Sequence, residues 1–154
     1  MSVHDPNAGE VAFRDASPSD AGALASLMAE LGYPSRPERV AERLGRVMRD
    51  PASRVILAID DATNEVIGCV TVHVRASLEH DVPACELTSL VVAARGRGRG
   101  VGARLVAEVE REARARGCNA VVLTSATRRA DAHAFYERRG YAVTGRRFTK
   151  YLAG

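Results

Sequence analysis

Segments along the chain alternate between two hydrophobic periods, one typical of strands and one typical of helices. Short apolar runs with turn residues at their ends predict strands over residues 11–15, 55–60 and 66–75. In the third run, Val70, Val72 and Val74 alternate with polar residues, so one face should be buried and the other polar. The composition of residues 61–64 predicts a hairpin turn between the second and third strands.

Helical spacing marks four further segments. A cap residue, a proline and an acid at residues 17–20 predict a helix that runs to about Leu31. The capping box Ser35-x-x-Glu38 predicts a second helix to Met48. We expect its inner face to carry Val40, Leu44, Val47 and Met48. The third and fourth helices are expected over residues 101–116 and 131–139.

A β-rich apolar run that begins at Glu86 predicts a strand before the third helix. Two later segments complete the predicted order of elements, βααβββαβαβ. Residues 120–125 form an apolar strand, and the tail over residues 141–152 is expected to return as one or two strands. The helix at 101–116 joins two strands and implies a parallel step between them. The predicted fold class is therefore α/β (mixed α+β), with a central mixed β-sheet flanked by helices on both faces. A length of 154 residues fits a single domain spanning 1–154.

The glycine-rich loop that precedes the third helix carries the clearest chemical signal. Gly98, Gly100 and Gly102 allow a sharp turn and bring backbone N–H groups close to a ligand. The first turn of the helix adds unpaired N–H donors and the positive end of its dipole. The expected ligand is a phosphate group.

Three other interpretations of this loop fit the sequence less well. Gly98-x-Gly100-x-x-Ala103 could belong to a dinucleotide fold, but the next strand, residues 120–125, ends in Thr-Ser and not in an acid. A Walker loop requires Gly-Lys-Ser/Thr, which is absent. A plain turn requires one glycine, and its crowded arginines would repel each other unless an anion joined them.

The segment Arg97-Gly98-Arg99-Gly100-Val101-Gly102 resembles the Arg/Gln-x-x-Gly-x-Gly/Ala signature of the GNAT superfamily of N-acetyltransferases. A downstream Phe-Tyr-Glu-x-x-Gly-Tyr segment, residues 135–141, is also similar to that family. The resemblance implies acetyl-CoA as co-substrate, with its pyrophosphate on the loop. The cofactor-binding residues that it implies are Leu90, Val91, Val92, Arg97, Gly98, Arg99, Gly100, Val101, Gly102, Ala103 and Tyr136. Arg129 stands where many family members carry an asparagine that contacts the cofactor.

Acetyl transfer to an amine requires a neutral amine and a proton for the departing thiolate. An alkylammonium has a pKa of about 10.4, so a base should remove its proton at neutral pH. Strict alternation would place Glu86, Thr88, Leu90 and Val92 on one face of their strand. The resemblance implies Glu86 as the base acting through water, although Glu86 could equally bind substrate or balance an arginine. The resemblance also implies that Tyr136 is the acid that protonates the thiolate.

His73, His80 and Tyr33 are candidate substrate contacts. His73 lies on the polar face of its strand, where a surface histidine is the alternative interpretation. Tyr33 belongs to residues 31–36, which the resemblance implies to be a lid over the acceptor. Glu79-His80-Asp81 has the residue types of a metal cluster, yet no histidine pair or cysteine lies at ligand spacing, so no metal is predicted.

Charge and composition exclude several other classes. A net charge of +3 would permit nucleic-acid binding, but basic and acidic residues interleave along residues 108–114 as on a solvated helix face, so no nucleic-acid partner is expected. No apolar run reaches 18 residues and no signal segment is evident, so we expect no membrane span and a cytoplasmic location. Cys69, Cys85 and Cys118 are odd in number and scattered, so we expect them to be reduced.

The sequence therefore predicts an acetyl-CoA-dependent N-acetyltransferase that acts on a primary amine of a small molecule by direct transfer. Residues 129–137 and the short tail are similar to small GNAT enzymes that acetylate aminoalkylphosphonates or aminoglycosides. A protein N-terminal or lysine acetyltransferase and a non-catalytic acyl-CoA-binding regulatory module are the alternatives. The family often pairs subunits through strand edges, so a homodimer through residues 148–152 is also expected.

Overall fold

A computed structural model describes residues 9–125 and 130–153 of the chain. The strands are β1 (Val11–Asp15), β2 (Ser53–Asp60), β3 (Val66–Arg75), β4 (Ala84–Val92) and β5 (Val121–Leu123). The helices are α1 (Ala21–Leu31), α2 (Pro37–Arg49), α3 (Val101–Ala115) and α4 (Ala130–Glu137). The strands form one mixed sheet in the order β1-β2-β3-β4-β5, with antiparallel pairing from β1 to β4.

Successive residues of β3 face opposite sides of the sheet, and each side carries different helices. A Cβ atom placed on Gly68 would lie 3.1 Å from Leu105 and 3.2 Å from Val101, so this side packs against α3. The neighbouring Cys69 is fully buried in a second apolar cluster with residues of α1 and α2, among them Leu24. Helices therefore cover both faces of the sheet, and the predicted fold class is confirmed.

The predicted start of the first helix is confirmed by its hydrogen bonds. A short 3₁₀ turn, Pro18–Asp20, precedes α1, and the Ser17 N–H donates to the Asp20 carboxylate over 2.7 Å. Arg14 binds the same carboxylate through two nitrogens, at 2.8 and 2.9 Å. Gly32 follows the last residue of α1, adopts φ of +106° and donates its N–H to the last turn of the helix.

The predicted capping box of the second helix is wrong. α2 begins at Pro37, and Arg36 occupies the cap position without a side-chain hydrogen bond. Proline presets the helical φ at the first position, which moves the start one residue beyond the reach of a Ser35 cap. Ser35 instead accepts a hydrogen bond from Arg43 over 3.0 Å. Met48 is also exposed and does not join the predicted inner face.

The predicted strands at the end of the chain are absent from the described part of the tail. Residues 141–153 contain no strand, and their backbone forms no ladder with any described strand. A strand needs a neighbour for its N–H and C=O groups, and apolar composition alone does not supply one. The apolar side chains of this tail are exposed: Val143, Phe148, Tyr151 and Leu152.

The chain forms two compact units, Met1–Val122 and Leu123–Gly154. The described part of the first unit holds β1 to β4, α1 to α3 and the start of β5, whereas α4 and the tail belong to the second. A single domain over residues 1–154 stays a prediction. Over residues 9–125 and 130–153, no helix is both long and apolar enough to cross a membrane.

Candidate active site

The glycine loop, residues 93–100, runs from the end of β4 to the start of α3. Gly98 and Gly100 have φ of +77° and +72°, in the left-handed region that side chains rarely adopt. No atom lies within 4 Å of the position that a Cβ would take at either residue. The two glycines are therefore required by backbone conformation, and the space beside them is open.

Backbone N–H groups accumulate where the glycine loop enters α3. The N–H groups of residues 98–103 have no hydrogen-bond acceptor in the described parts of the chain. Gly100 is the cap residue of α3, and no side chain caps this end of the helix. Consecutive N–H donors at a helix N-terminus form a site that suits the oxygens of a phosphate group.

Four arginines lie in or next to this loop, at positions 95, 97, 99 and 104. Two of them, Arg99 and Arg104, bind the first strand or the segment before it. Arg99 forms an ion pair with Asp60 over 2.9 Å, and its second terminal nitrogen donates to the Gly9 carbonyl over 2.9 Å. Arg104 donates to the Val11 carbonyl over 3.2 Å, and its guanidinium lies 4.9 Å from the centre of the Phe13 ring. Both side chains are therefore engaged within the protein.

The remaining two arginines of this group, Arg95 and Arg97, differ from each other. Arg95 forms an ion pair with Glu65 over 3.0 Å and donates to the Val66 carbonyl over 2.7 Å. Arg97 is exposed and contacts no acid of residues 9–125 or 130–153. The crowded arginines are joined by anions, as expected, but for Arg95 and Arg99 these are the carboxylates of Glu65 and Asp60 and not a bound ligand. Arg97 keeps its charge available for a ligand.

A bulge in β4 breaks the alternation that the sequence predicts for this strand. The pairing of β4 with β3 shifts at Thr88, so Glu86 pairs with His73 and Leu90 pairs with Val70. Paired residues share a face of the sheet, and residues 70 and 73 face opposite sides. Glu86 and Leu90 therefore lie on opposite faces. The prediction that residues 86, 88, 90 and 92 share one face is wrong, because the bulge adds one residue.

The bulge separates two parts of the candidate site. Leu90 and Val92 pair with Val70 and Gly68, on the side of the sheet that packs against α3. Glu86 lies half-buried on the side that carries α1 and α2, the two helices that flank the predicted lid, residues 31–36. Leu90 and Val92, which are predicted to hold the cofactor, therefore face away from Glu86, whereas Val91 pairs with Cys69 on the side of the sheet that carries Glu86.

His73, the cross-strand partner of Glu86, is held by two polar side chains. Its Nδ1 lies 3.1 Å from the Ser53 hydroxyl and 3.4 Å from the Asp50 carboxylate. Ser53 also donates to Asp50 over 2.9 Å. The pKa of Asp50 is lowered by the Ala52 N–H, by this hydroxyl and by the charge of His73. His73 is thus oriented next to Glu86, and its contact with substrate stays a prediction.

The other predicted substrate residues lie in exposed connections. His80 is in the loop between β3 and β4, where its Nδ1 lies 3.2 Å from the Ser77 hydroxyl. Tyr33 follows the end of α1 and is 63% exposed. No described hydrogen bond or ion pair joins either residue to Glu86, so their roles stay predictions.

Tyr136 is located in α4 with its ring between two aromatic neighbours. The ring centres of Phe135 and Tyr141 lie 5.2 and 5.8 Å from that of Tyr136, both in edge-to-face geometry. Such pairs hold a ring in one orientation. Tyr136 and Glu86 belong to different compact units, so their joint action is a prediction. Arg129, the predicted departure from the family pattern, lies outside the described residues.

The cysteines do not offer a nucleophile. All three are free. Burial raises the pKa of Cys69 to about 12 and is the main cause that raises the pKa of Cys85 to about 11. A thiol with such a pKa is almost entirely protonated at neutral pH and reacts poorly. That these cysteines are reduced in the cell stays a prediction. Within the described residues, no group of three or more His, Cys, Asp or Glu side chains could hold a metal ion.

Comparison with known proteins assigns the family. Residues 22–141 match the model of the acetyltransferase (GNAT) family. The match covers well over half of the chain, including the glycine loop and α4. The chain therefore belongs to the GNAT family of N-acetyltransferases.

Individual proteins are similar to this chain, one in sequence and two in fold. The chain is 38% identical over 103 residues to an aminoalkylphosphonate N-acetyltransferase of Salmonella typhimurium. The aligned residues cover 67% of this chain and 66% of that protein, which is just under two thirds of its length. A transcriptional regulator from Bacillus halodurans C-125 is similar in structure, with a TM-score of 0.85 and 21% identity. The similarity covers 93% of this chain and 100% of that protein's chain. An aminoglycoside N-acetyltransferase in complex with CoA gives a TM-score of 0.81 at 16% identity, with coverage of 96% and 98%.

Proposed function

We propose that the protein transfers the acetyl group of acetyl-CoA directly to a primary amine of a small molecule. The observation that carries this proposal is the run of unpaired N–H groups over residues 98–103, next to the exposed Arg97. These donors match the oxygens of a pyrophosphate in both charge and hydrogen-bonding type. Family membership and the CoA complex of a structural relative support the choice of acetyl-CoA.

The acceptor class follows from the relative named above and from the chemistry of β4. The Salmonella relative is named for aminoalkylphosphonates, which are small primary amines. Glu86 lies on the face of the sheet that carries α1 and α2 and is half-buried. A carboxylate in that position attracts an ammonium group and can accept its proton. An aminoalkylphosphonate is therefore the first acceptor to test.

In the proposed mechanism, each group of residues has one task. Residues 97–103 bind the pyrophosphate, and the backbone N–H and C=O groups of Leu90, Val91 and Val92 bind the pantetheine arm along β4, which does not depend on the face that their side chains take. Acetyl-CoA supplies the activated acetyl thioester when it is bound. Glu86 takes a proton from the ammonium of the acceptor, and the free amine forms a C–N bond to the acetyl carbon as the C–S bond breaks. Tyr136 gives a proton to the departing thiolate, and the proton that the new amide nitrogen releases restores the phenol. The proposed transfer is direct, and the raised pKa of the buried Cys69 and Cys85 thiols disfavours an acetyl-cysteine intermediate at either of them.

Calorimetry with acetyl-CoA and a thiol-release assay test the proposal. Gly100→Val should weaken acetyl-CoA binding at least tenfold, because valine is strained at φ of +72° and occupies the space beside the N–H groups. The matched control is Gly117→Val, since Gly117 has φ of +74° and open surroundings at the other end of α3. A folded Gly100→Val protein with unchanged affinity would place the cofactor elsewhere.

The thiol-release assay also separates the alternatives. A panel of aminoalkylphosphonates, aminoglycosides and peptides should give turnover with the small amines. Turnover with peptides alone would indicate a protein acetyltransferase. Acetyl-CoA binding without turnover on any amine would indicate a regulatory module.

A further inference from the structure

The turn between β2 and β3, residues 60–66, contacts the glycine loop through two ion pairs. Asp60 and Glu65 lie near the two ends of this turn, which the hydrogen bond from the Asp60 N–H to the Glu65 carbonyl closes at 2.9 Å. Asp60 binds Arg99 and Glu65 binds Arg95. The two arginines lie on either side of Arg97 in the sequence, two positions away in each direction.

The pair formed by Arg99 and Asp60 is the more enclosed of the two. Its side chains are only 19% and 15% exposed, whereas those of Arg95 and Glu65 are both 55% exposed. The second oxygen of Asp60 accepts the Ala62 N–H over 2.9 Å, so the carboxylate is fixed within the turn. If Arg99 moved to a phosphate, it would leave this enclosed carboxylate without its cation, which is unfavourable.

Tethers on both sides of Gly98 have a physical consequence for the loop. Glycine loses more conformational freedom than any other residue when it becomes ordered. Arg95 is tied to Glu65 and the Val66 carbonyl, and Arg99 is tied to Asp60 and the Gly9 carbonyl. These contacts order the loop before a ligand arrives, and a pre-organised site binds more tightly.

We propose that Arg99, held by Asp60, is a positioning residue that orders the glycine loop, with Arg95 and Glu65 as a weaker second tether, and that Arg97 carries the charge that meets the phosphate. The proposal rests on the proposed function, because it assigns separate roles to residues of that same loop. It differs from the sequence-based expectation, in which Arg97 and Arg99 both bind the cofactor.

The direction in which Asp60→Asn changes the CoA affinity shows whether Arg99 positions the loop or binds phosphate. If Arg99 positions the loop, Asp60→Asn should weaken the binding of CoA about tenfold. The dependence of the CoA affinity on salt concentration should then be the same as in the wild type. If Arg99 is a phosphate ligand that Asp60 holds back, Asp60→Asn should release it and tighten CoA binding. Asp15→Asn is the matched control, since it breaks the ion pair of Asp15 with Arg54 elsewhere in the sheet, and it should leave the CoA affinity unchanged.

Further variants test the same assignment by calorimetry over a range of salt concentrations. Arg99→Gln should weaken CoA binding as much as Asp60→Asn, and the double variant should be no weaker than either, because both remove one tether. Arg99→Lys should recover part of the affinity. Arg97→Gln should flatten the salt dependence, because it removes a charge that meets the phosphate. A flatter salt dependence in Arg99→Gln would overturn the proposal.

Hydrogen exchange measures the order of the loop without any ligand. The hydrogen-bonded amides of Gly96, Arg97 and Arg104, which donate to the carbonyls of residues 93, 94 and 100, should exchange faster in Asp60→Asn than in the wild type or in Asp15→Asn, while the melting temperatures stay close. Unchanged exchange in Asp60→Asn would overturn the proposal. A wild-type chain that has no affinity for CoA would overturn the proposed function instead, and the exchange experiment would still test the tether.

Discussion

At the scale of single residues, the partner of a side chain decides its role more than its type does. Arg97 and Arg99 are two positions apart in one motif, yet Arg97 contacts no described acid and Arg99 binds Asp60. The sequence shows a cluster of arginines beside a phosphate-binding loop. It does not show the partner of Arg99, because Asp60 lies 39 positions earlier and meets it only in the folded chain.

The predicted base can be tested by the pH dependence of its variant. Glu86→Gln should reduce turnover most at neutral pH, where the acceptor is an ammonium ion that must lose a proton. The deficit should shrink as the pH approaches the amine pKa of about 10.4, because the free base is then already present. Steady-state rates from pH 6 to pH 10, with acetyl-CoA and a saturating amine, measure this.

Tyr136→Phe is the matched comparison for that experiment. It keeps the ring but removes the phenolic proton. Between pH 6 and about pH 8.5, where a phenol of ordinary pKa about 10 is still protonated, its deficit should stay level while that of Glu86→Gln shrinks. If the deficit of Glu86→Gln is the same at every pH, then Glu86 binds substrate and is not the base.

At the scale of elements, the sequence predicted the regular structure well wherever local rules decide it. β1 and β3 have the predicted bounds, and the 3₁₀ turn at Pro18 leads into α1 as expected. The bulge at Thr88 was not predictable, because it is a property of how β4 pairs with β3 and leaves no pattern in β4 alone. As a result, the sequence located Glu86 in the correct strand but on the same face as Leu90.

The junction of β1 and α1 should make stability depend on pH. The pKa of Asp20 is lowered to about 2, mainly by its hydrogen bond with Arg14 and to a smaller extent by the Ser17 N–H. A lowered pKa contributes stability above the unfolded pKa of about 4, and this contribution is lost as the pH falls towards 2. We expect Asp20→Asn to reduce the free energy of unfolding by about 2 kcal/mol at pH 7.

Urea unfolding at pH 7 and at pH 3 tests this expectation. The difference between the wild type and Asp20→Asn should be smaller at pH 3, where Asp20 begins to lose its advantage. Glu42→Gln is the control, because the pair of Glu42 with Arg39 is exposed and should change stability by less than about 1 kcal/mol. A difference of equal size at both pH values would contradict the role assigned to the Asp20 carboxylate.

At the scale of the whole molecule, the sheet and its helices were predictable but the tail was not. Hydrophobic periodicity predicts which segments are regular, and the core that forms around Cys69 and Gly68 follows from it. Residues 141–153 have apolar side chains without a partner strand in the described chain, so their composition predicted a strand that is not there. The argument for a homodimer from a tail strand edge therefore fails, although the exposed side chains of the tail remain.

Those exposed side chains give the homodimer prediction a different basis. Phe148, Tyr151 and Leu152 are 86–92% exposed within five positions, and apolar surface of this kind is typical of an interface. We predict that the chain forms a homodimer in which the tail of one copy is covered by the other. Replacing both Phe148 and Leu152 by Asp should shift the protein to the monomer, because two carboxylates would then be buried in the interface.

Sedimentation velocity at micromolar concentration measures this shift. Leu78→Asp is the control, because Leu78 is fully exposed in the loop between β3 and β4 and should leave the mass unchanged. A wild-type protein that sediments with the mass of one chain would refute the homodimer. A dimer that persists in the doubly substituted tail would show that another surface joins the two copies.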